Sequence, residues 1–325
     1  AFFTATSAVC VTGLSVRDVG SELSFRGQAL LLSLIQLGGL GLVVIACGVG
    51  HLERGRMSMR ESRVLSEAVG FSTPGRLRRF LAFVVTFTVV VEALGATALW
   101  FAVEGRDLGG HDRAWWSAFH AISAFCNAGF GLSPTSLVSF AGDATVLGIV
   151  AALIVLGGLG FAVHMDLLAL RPFSLATLRY ARWRLFAKMH WPWHHDLFEG
   201  PTPPRAALAT KLVLVTSALL IAGGTVAILL AESRGVFRAA SVHEQWACSM
   251  FASISARTAG FQTSDLAALT GPALLVTMLL MAVGASPLST GGGVKTSTLA
   301  VAALTLKSMT RDRAEVEAFG RTIPR

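Results

Sequence analysis

Charged residues are scarce in this sequence. Only 14% of its 325 residues are charged, whereas about a quarter is normal for a soluble domain. Mean hydropathy is +0.63 and 53% of the residues are hydrophobic. This composition excludes an ordinary soluble domain and predicts an all-α polytopic membrane protein. Stretches of roughly the 20 residues needed to cross a bilayer carry almost no charge; they are residues 27–50, 80–103, 144–164 and 212–231.

Acidic residues are scarcer than basic ones, 19 against 27, which gives a net charge of +8. Nucleic-acid binding would be one interpretation of this basicity. The basic residues, however, concentrate between the first and second spans, between the third and fourth, and in the tail. The positive-inside rule then places these parts in the cytoplasm. The sequence predicts a multi-pass protein of the inner (cytoplasmic) membrane, in contact with lipid and without a nucleic-acid partner.

Cysteine is also rare, and its four residues show no metal-binding spacing. No nucleophile elbow, phosphate loop or paired-carboxylate arrangement is found. An intramembrane protease would need Ser and His on facing spans, and His120 and His164 are the few histidines at membrane depth. His190, His194 and His195 superficially resemble a metal cluster, but their Trp- and Pro-rich surroundings favour an interfacial or partner-contacting loop. The sequence thus predicts neither an enzyme nor a metal site built from clustered side-chain ligands.

One short motif occurs three times. The segments read SAVCVTGL at residues 7–14, SAFCNAGF at 123–130 and SARTAGF at 255–261. We call them the first, second and third glycine loops. Amphipathic stretches at 113–125 and 242–254, too short to span a bilayer, precede the second and third loops. A span follows each loop, so the predicted unit is helix–pore loop–helix around a central pore; ordinary outer loops are the alternative.

A carbonyl-lined pathway is the chemistry that such loops can provide. Backbone carbonyls aimed at an axis can replace the hydration shell of a cation, and glycine adopts the required unusual backbone angles at least cost. The predicted filter residues are Val11, Thr12, Gly13, Asn127, Ala128, Gly129, Thr258, Ala259 and Gly260.

The last span is interrupted. Apolar residues at 274–283 and 299–306 flank the sequence GASPLSTGGGVKT at 284–296. Each Gly costs a helix about 1 kcal/mol and a Pro about 3 kcal/mol, so we expect a break in mid-membrane, which is typical of transport sites or gates. The predicted gate residues are Gly284, Ser286, Ser289, Thr290, Gly291, Gly292, Gly293 and Lys295.

Taken in order along the chain, these motifs resemble the selectivity filters and intramembrane gating loop of the Ktr/Trk potassium transporter family. The segment QLGGLG at 36–41 also resembles that family's helix after the first filter. The resemblance covers essentially the whole chain. It implies K+ uptake with Na+ as a candidate coupling ion, a homodimer of pore subunits and a cytoplasmic RCK-type nucleotide-binding regulatory subunit.

The family pattern has four repeats, of which this sequence contains three. We expect a partial first repeat with its cytoplasmic loop at 1–79, a second at 80–205 and a third, carrying the gating loop, at 206–325. The first repeat lacks its leading span and the fourth repeat is absent, so we expect a chain truncated at both ends. A structural or assembly subunit without autonomous transport is the alternative function.

Three charged residues require separate explanations. A lysine at membrane depth is costly, so Lys295 is predicted to hold a constriction below the filter, with a snorkelling side chain as the alternative. Glu92 is predicted to be buried, as a structural tie or an ion site. Arg257 is predicted to point away from the axis of the pore.

The outer carboxylates either attract cations or are solvated loop charges; they are Asp18, Glu22, Asp112, Asp143 and Asp265.

Overall fold

The fold is mostly helical. The computed structural model describes residues 2–54, 74–170, 207–233, 235–311, 316–319 and 321–323. The basic stretches at 55–73 and 171–206, with the three clustered histidines, lie outside the described residues. In the described part, two helices are long and apolar enough to cross a membrane, Phe80–Ala102 and Leu208–Glu232, or three if one bent pair forms a single span. The predicted polytopic helical architecture is confirmed.

The helices follow the order expected from the motifs. Short α1 (Phe2–Val9) precedes the first glycine loop, and a turn of helix, α2 (Val19–Glu22), leads into the long α3 (Phe25–Arg54). The second set comprises α4 (Pro74–Ala102), α5 (Arg113–Phe125), α6 (Ala144–Gly158) and α7 (Phe161–Ala169). The third comprises α8 (Leu208–Glu232), α9 (Val242–Ser255), α10 (Gly271–Ala282) and α11 (Thr296–Thr310).

Smaller elements complete the described chain. Single 3₁₀ turns occupy Val138–Phe140, Val236–Ala239 and Leu266–Ala268. Strands β1 (Val316–Ala318) and β2 (Arg321–Ile323) pair antiparallel, with Val316 opposite Ile323. This hairpin is a small addition to the predicted all-α class.

The two short amphipathic helices form as predicted, since α5 begins and ends at the predicted residues and α9 ends one residue later. Asp112 accepts hydrogen bonds from the first-turn amides of α5, and Ser241 forms a capping box with Glu244 at the start of α9. The helix α5 buries Trp116 and Phe119, whereas α9 buries Phe251 and exposes Trp246 and Met250. Each helix leads directly into its glycine loop.

The structure also contains bends that the sequence analysis missed. The helices α6 and α7 meet at an angle of 95°, across Gly160 with φ 89° and ψ 139°. Gly41 has nearly the same angles inside α3, φ 80° and ψ 146°. The sequence LGGLG, at 37–41 and again at 156–160, ends at each bend. The interruption predicted at 284–296 thus has two counterparts in the earlier sets.

Candidate functional site

The three glycine loops share one backbone pattern. In each, the glycine has a positive φ, 78° at Gly13, 71° at Gly129 and 80° at Gly260. The residue two positions earlier is also left-handed: φ is 54° at Val11, 57° at Asn127 and 79° at Thr258. Such angles are uncommon for residues other than glycine and cost on the order of 1–3 kcal/mol. Three repetitions of this costly pattern indicate a functional constraint on the backbone.

In each glycine loop, the side chain of the first serine forms a hydrogen bond with the backbone of the last residue. Ser7 Oγ accepts a hydrogen bond from the Leu14 amide at 2.9 Å. Ser123 Oγ donates to the Phe130 carbonyl at 2.7 Å, and Ser255 Oγ donates to the Phe261 carbonyl at 2.5 Å. The serine common to the three motifs therefore stabilises the turn. The shorter third loop keeps this bond although it has one residue fewer.

The loops lie side by side at their glycines. A Cβ atom added to Gly13 would lie 2.6 Å from the Ala128 carbonyl oxygen, and one added to Gly129 would lie 2.5 Å from the Ala259 oxygen. Each of these two glycines thus faces the carbonyl before the glycine of the next loop. The chain brings all three loops together, although they are more than a hundred residues apart in sequence. An open cavity of about 330 Å³ is lined by Gly13, Gly129 and Gly260 together.

Four of the five outer carboxylates cap helices, and one of them, Asp18, also lines this cavity. Asp18 caps α2, and Asp143 caps α6 while it also pairs with Arg106 at 2.7 Å. Asp112 caps α5 and Asp265 caps the last 3₁₀ turn. Glu22 pairs with Arg17 at 3.6 Å. These contacts assign the outer acidic residues a structural role beyond that of freely solvated charges.

The segment between α10 and α11, residues 283–295, is a compact non-helical loop, which we call the connecting loop. Its two ends pair, because the Gly284 amide donates to the Val294 carbonyl at 3.1 Å and the Ala285 amide donates to the Gly292 carbonyl at 3.0 Å. Ser286 Oγ lies 2.9 Å from Thr296 Oγ1. The predicted interruption of the span is therefore present and internally bonded.

The connecting loop binds the second glycine loop through side chains. Asn127 Nδ2 donates to Thr290 Oγ1 at 2.8 Å, and Thr290 Oγ1 donates to the Phe125 carbonyl at 2.9 Å. Both Asn127 and Thr290 are buried. The sequence analysis predicted only a carbonyl role for Asn127, so it missed this use of the side chain.

The same loop also fills the bend at Gly160. The Phe161 amide donates to the Leu288 carbonyl at 2.8 Å, and the Ser286 amide donates to the Gly158 carbonyl at 2.9 Å. A Cβ at Gly160 would collide with the Pro287 carbonyl oxygen. The bend between α6 and α7 therefore provides the backbone groups that hold the connecting loop.

Contacts with the third glycine loop complete the arrangement. Arg257 Nη2 donates to the Gly284 carbonyl at 3.3 Å and lies 3.5 Å from Ser217 Oγ. A Cβ at Gly291 would collide with Thr258 Oγ1. Arg257 thus bonds to the connecting loop, and that loop lies against two of the three glycine loops.

Lys295 is tied to the loop that precedes it. Its Nζ donates to the Gly291 carbonyl at 2.8 Å, and the side chain is partly buried. This bond ties the Lys295 side chain to the connecting loop, and its part in a constriction stays a prediction.

Glu92 is buried and lies 3.2 Å from Gln36 Nε2, which donates a hydrogen bond to it.

Two further polar residues were missed by the sequence analysis, Gln36 and Glu232. Glu232 is fully buried and accepts hydrogen bonds from the Thr270 amide at 2.6 Å and the Val236 amide at 2.9 Å. A charged residue at the end of an apolar span was the only sequence signal for Glu232.

In the described residues no group of three His, Cys, Asp or Glu could hold a metal ion.

Comparison with known proteins identifies the architecture. Residues 1–322 match the TrkH family, described as cation transport proteins. The chain belongs to this family. The description of this family as cation transport proteins agrees with the prediction of a transporter rather than an enzyme.

Individual relatives cover nearly the whole chain. The Ktr system potassium uptake protein B of Vibrio alginolyticus is 37% identical over 99% of this chain and 65% of its own length. The potassium/sodium uptake protein NtpJ of Enterococcus hirae is 33% identical, with the same coverage of each chain. The chain therefore spans about two thirds of the length of these relatives.

A solved structure supports the fold. The crystal structure of the potassium transporter TrkH from Vibrio parahaemolyticus matches with a TM-score of 0.63 at 19% identity, over 99% of this chain and 59% of that chain. At this identity the likeness concerns the fold alone.

Proposed function

We propose that this TrkH-family chain forms most of the ion pathway of a potassium uptake protein in the inner membrane. The observation that carries the proposal is the convergence of three left-handed glycine loops at one cavity. Carbonyl oxygens of residues 11–13, 127–129 and 258–260 would replace the hydration shell of K+. Relatives named as potassium uptake proteins support K+ as the transported ion. One relative named as a potassium/sodium uptake protein supports Na+ as a candidate coupling ion.

The connecting loop is proposed to be the gate. It lies against the second and third glycine loops and is held there by hydrogen bonds rather than by a continuous helix. Breaking a few such bonds costs little, since each contributes about 1 kcal/mol net. A loop held in this way can exist in two arrangements, which is what a gate requires.

The partners are proposed from the same family resemblance. They are a second copy of the pore subunit and a cytoplasmic RCK-type nucleotide-binding regulatory subunit. The name "Ktr system" in a relative supports a multi-component assembly. Co-purification of the full-length protein with such a subunit, followed by measurement of the complex mass, tests both partners.

Complementation tests the transport function. The full-length gene should restore growth of a strain deficient in potassium uptake at low external K+. Membrane insertion of the product is checked by immunoblotting of membrane fractions. Failure of a well-inserted product to restore growth would overturn the proposal.

A further inference from the structure

A buried polar cluster lies directly behind the second glycine loop. Glu92 on α4 is 8% exposed and Cys126 at the end of α5 is 0% exposed. Gln36 Nε2 on α3 donates to Glu92 Oε2 at 3.2 Å. Cys126 Sγ lies 3.6 Å from Gln36 Oε1 and 3.8 Å from Glu92 Oε1, within reach of a thiol hydrogen bond to either. The cluster therefore connects three helices at one point.

Glu92 is a buried carboxylate, and no basic side chain among the described residues compensates its charge. In the part of the chain that the structure describes, Glu92 forms no ion pair and bonds only to Gln36 and Cys126. Burying a carboxylate without a charged partner costs free energy. The presence of Glu92 at this site therefore indicates that its hydrogen bonds have a role. Packing is also close here, because a Cβ at Gly39 of α3 would lie 2.6 Å from Cys126 Sγ. The cysteine consequently has little freedom to move.

The position of Cys126 in the second glycine loop indicates the role of this cluster. Cys126 immediately precedes Asn127, the left-handed residue of the second glycine loop. In the third loop Arg257 immediately precedes the left-handed Thr258, and Arg257 lies 3.5 Å from Ser217 Oγ on α8. In both loops, the residue before the left-handed one is thus held by the long helix that precedes the short helix. The two loops use different side chains for the same connection.

We propose that Glu92, acting through Cys126 and Gln36, is a positioning residue that sets the carbonyl geometry of the second glycine loop and thereby discrimination of K+ from Na+. This inference rests on the proposed potassium uptake function. Discrimination between the two ions depends on the position and stiffness of the coordinating carbonyls. The hydrogen-bonded cluster next to Asn127 controls the position and the stiffness of the carbonyls in the second glycine loop. The role requires the hydrogen-bond acceptor at position 92.

The test compares K+ and Na+ uptake by the full-length protein in proteoliposomes. Glu92→Leu removes the acceptor, and we expect the K+/Na+ uptake ratio to fall about threefold to tenfold, the effect of one or two lost hydrogen bonds. Glu92→Gln keeps an acceptor oxygen and should retain the ratio. Gln36→Met removes the donor with little change in volume and should lower the ratio as Glu92→Leu does. If Glu92→Leu fails to fold, the uptake ratio of Gln36→Met tests the inference instead.

Thr88→Val is the matched control. Thr88 lies one turn before Glu92 on α4, is 1% exposed, and its Oγ1 has no hydrogen-bond partner among the described residues. This variant should retain the wild-type ratio.

Two results would overturn the inference alone. One is an unchanged ratio in folded Glu92→Leu or Gln36→Met, and the other is an equal loss in Glu92→Gln. A wild-type protein without K+ uptake would overturn the proposed function and the inference together.

Discussion

Asn127 and Thr290 are 163 positions apart in sequence, yet their side chains share a buried hydrogen bond of 2.8 Å. Asn127 belongs to the second glycine loop and Thr290 to the connecting loop. The bond joins the proposed filter to the proposed gate. Because Thr290 Oγ1 also donates to the Phe125 carbonyl, one hydroxyl holds the connecting loop through two contacts.

Thr290→Val should release this contact. The substitution keeps the shape of the side chain and removes both hydrogen bonds, which together stabilise the observed position of the connecting loop by about 1–2 kcal/mol. We expect K+ flux of the reconstituted full-length protein to rise, up to about tenfold. Thr277→Val is the matched control, because among the described residues the buried Thr277 hydroxyl bonds only within its own helix. Flux equal to wild type in Thr290→Val would contradict the role assigned to the bond.

Deletion of residues 291–293 should also raise K+ flux. These three glycines form the part of the connecting loop that lies against Thr258 and receives Lys295. A shortened loop should lose the contacts that hold the proposed gate in place. Flux is measured at equal amounts of protein in the membrane, and an unchanged flux would remove the gating role of the loop.

Gly129→Ala should abolish K+ uptake. The new Cβ would lie 2.5 Å from the Ala259 carbonyl oxygen, at a residue with φ of 71°. Both the collision and the strained angle oppose the native loop, at a cost of about 1–3 kcal/mol from the angle alone.

Gly148→Ala is the control for this substitution. Gly148 is helical, and nothing lies within 4 Å of its added Cβ. This variant should transport normally and be stabilised by up to about 1 kcal/mol. Normal uptake by Gly129→Ala would show that the glycine loops do not need their observed backbone.

Glu232→Leu should destabilise the protein. The substitution leaves the amides of Val236 and Thr270 and the Thr270 hydroxyl without their buried acceptor. Each such loss costs about 1–3 kcal/mol, and the melting temperature in detergent should fall by several degrees. Glu244→Leu, at an exposed capping position, should have a much smaller effect. Equal melting temperatures for the two variants would contradict the structural role of Glu232.

Much of the architecture could be predicted from local patterns. The helices α5 and α9 and the break after α10 follow from amphipathic length, capping residues and glycine content, which act over a few residues. The bend at Gly160 was missed because residues 144–164 read as one apolar span. The repeated LGGLG at 37–41 and 156–160 was an available signal for it.

Composition and repetition alone determined that this is a helical membrane protein with three glycine loops and an interrupted span. Charge scarcity, the roughly 20-residue apolar lengths and glycine's backbone freedom are properties of short segments. Only the tertiary structure decided that Gly13 and Gly129 face the carbonyls of the next loops, that Asn127 meets Thr290, and that Glu92 lies between Gln36 and Cys126. These contacts depend on how distant helices pack, and packing is a property of the whole chain.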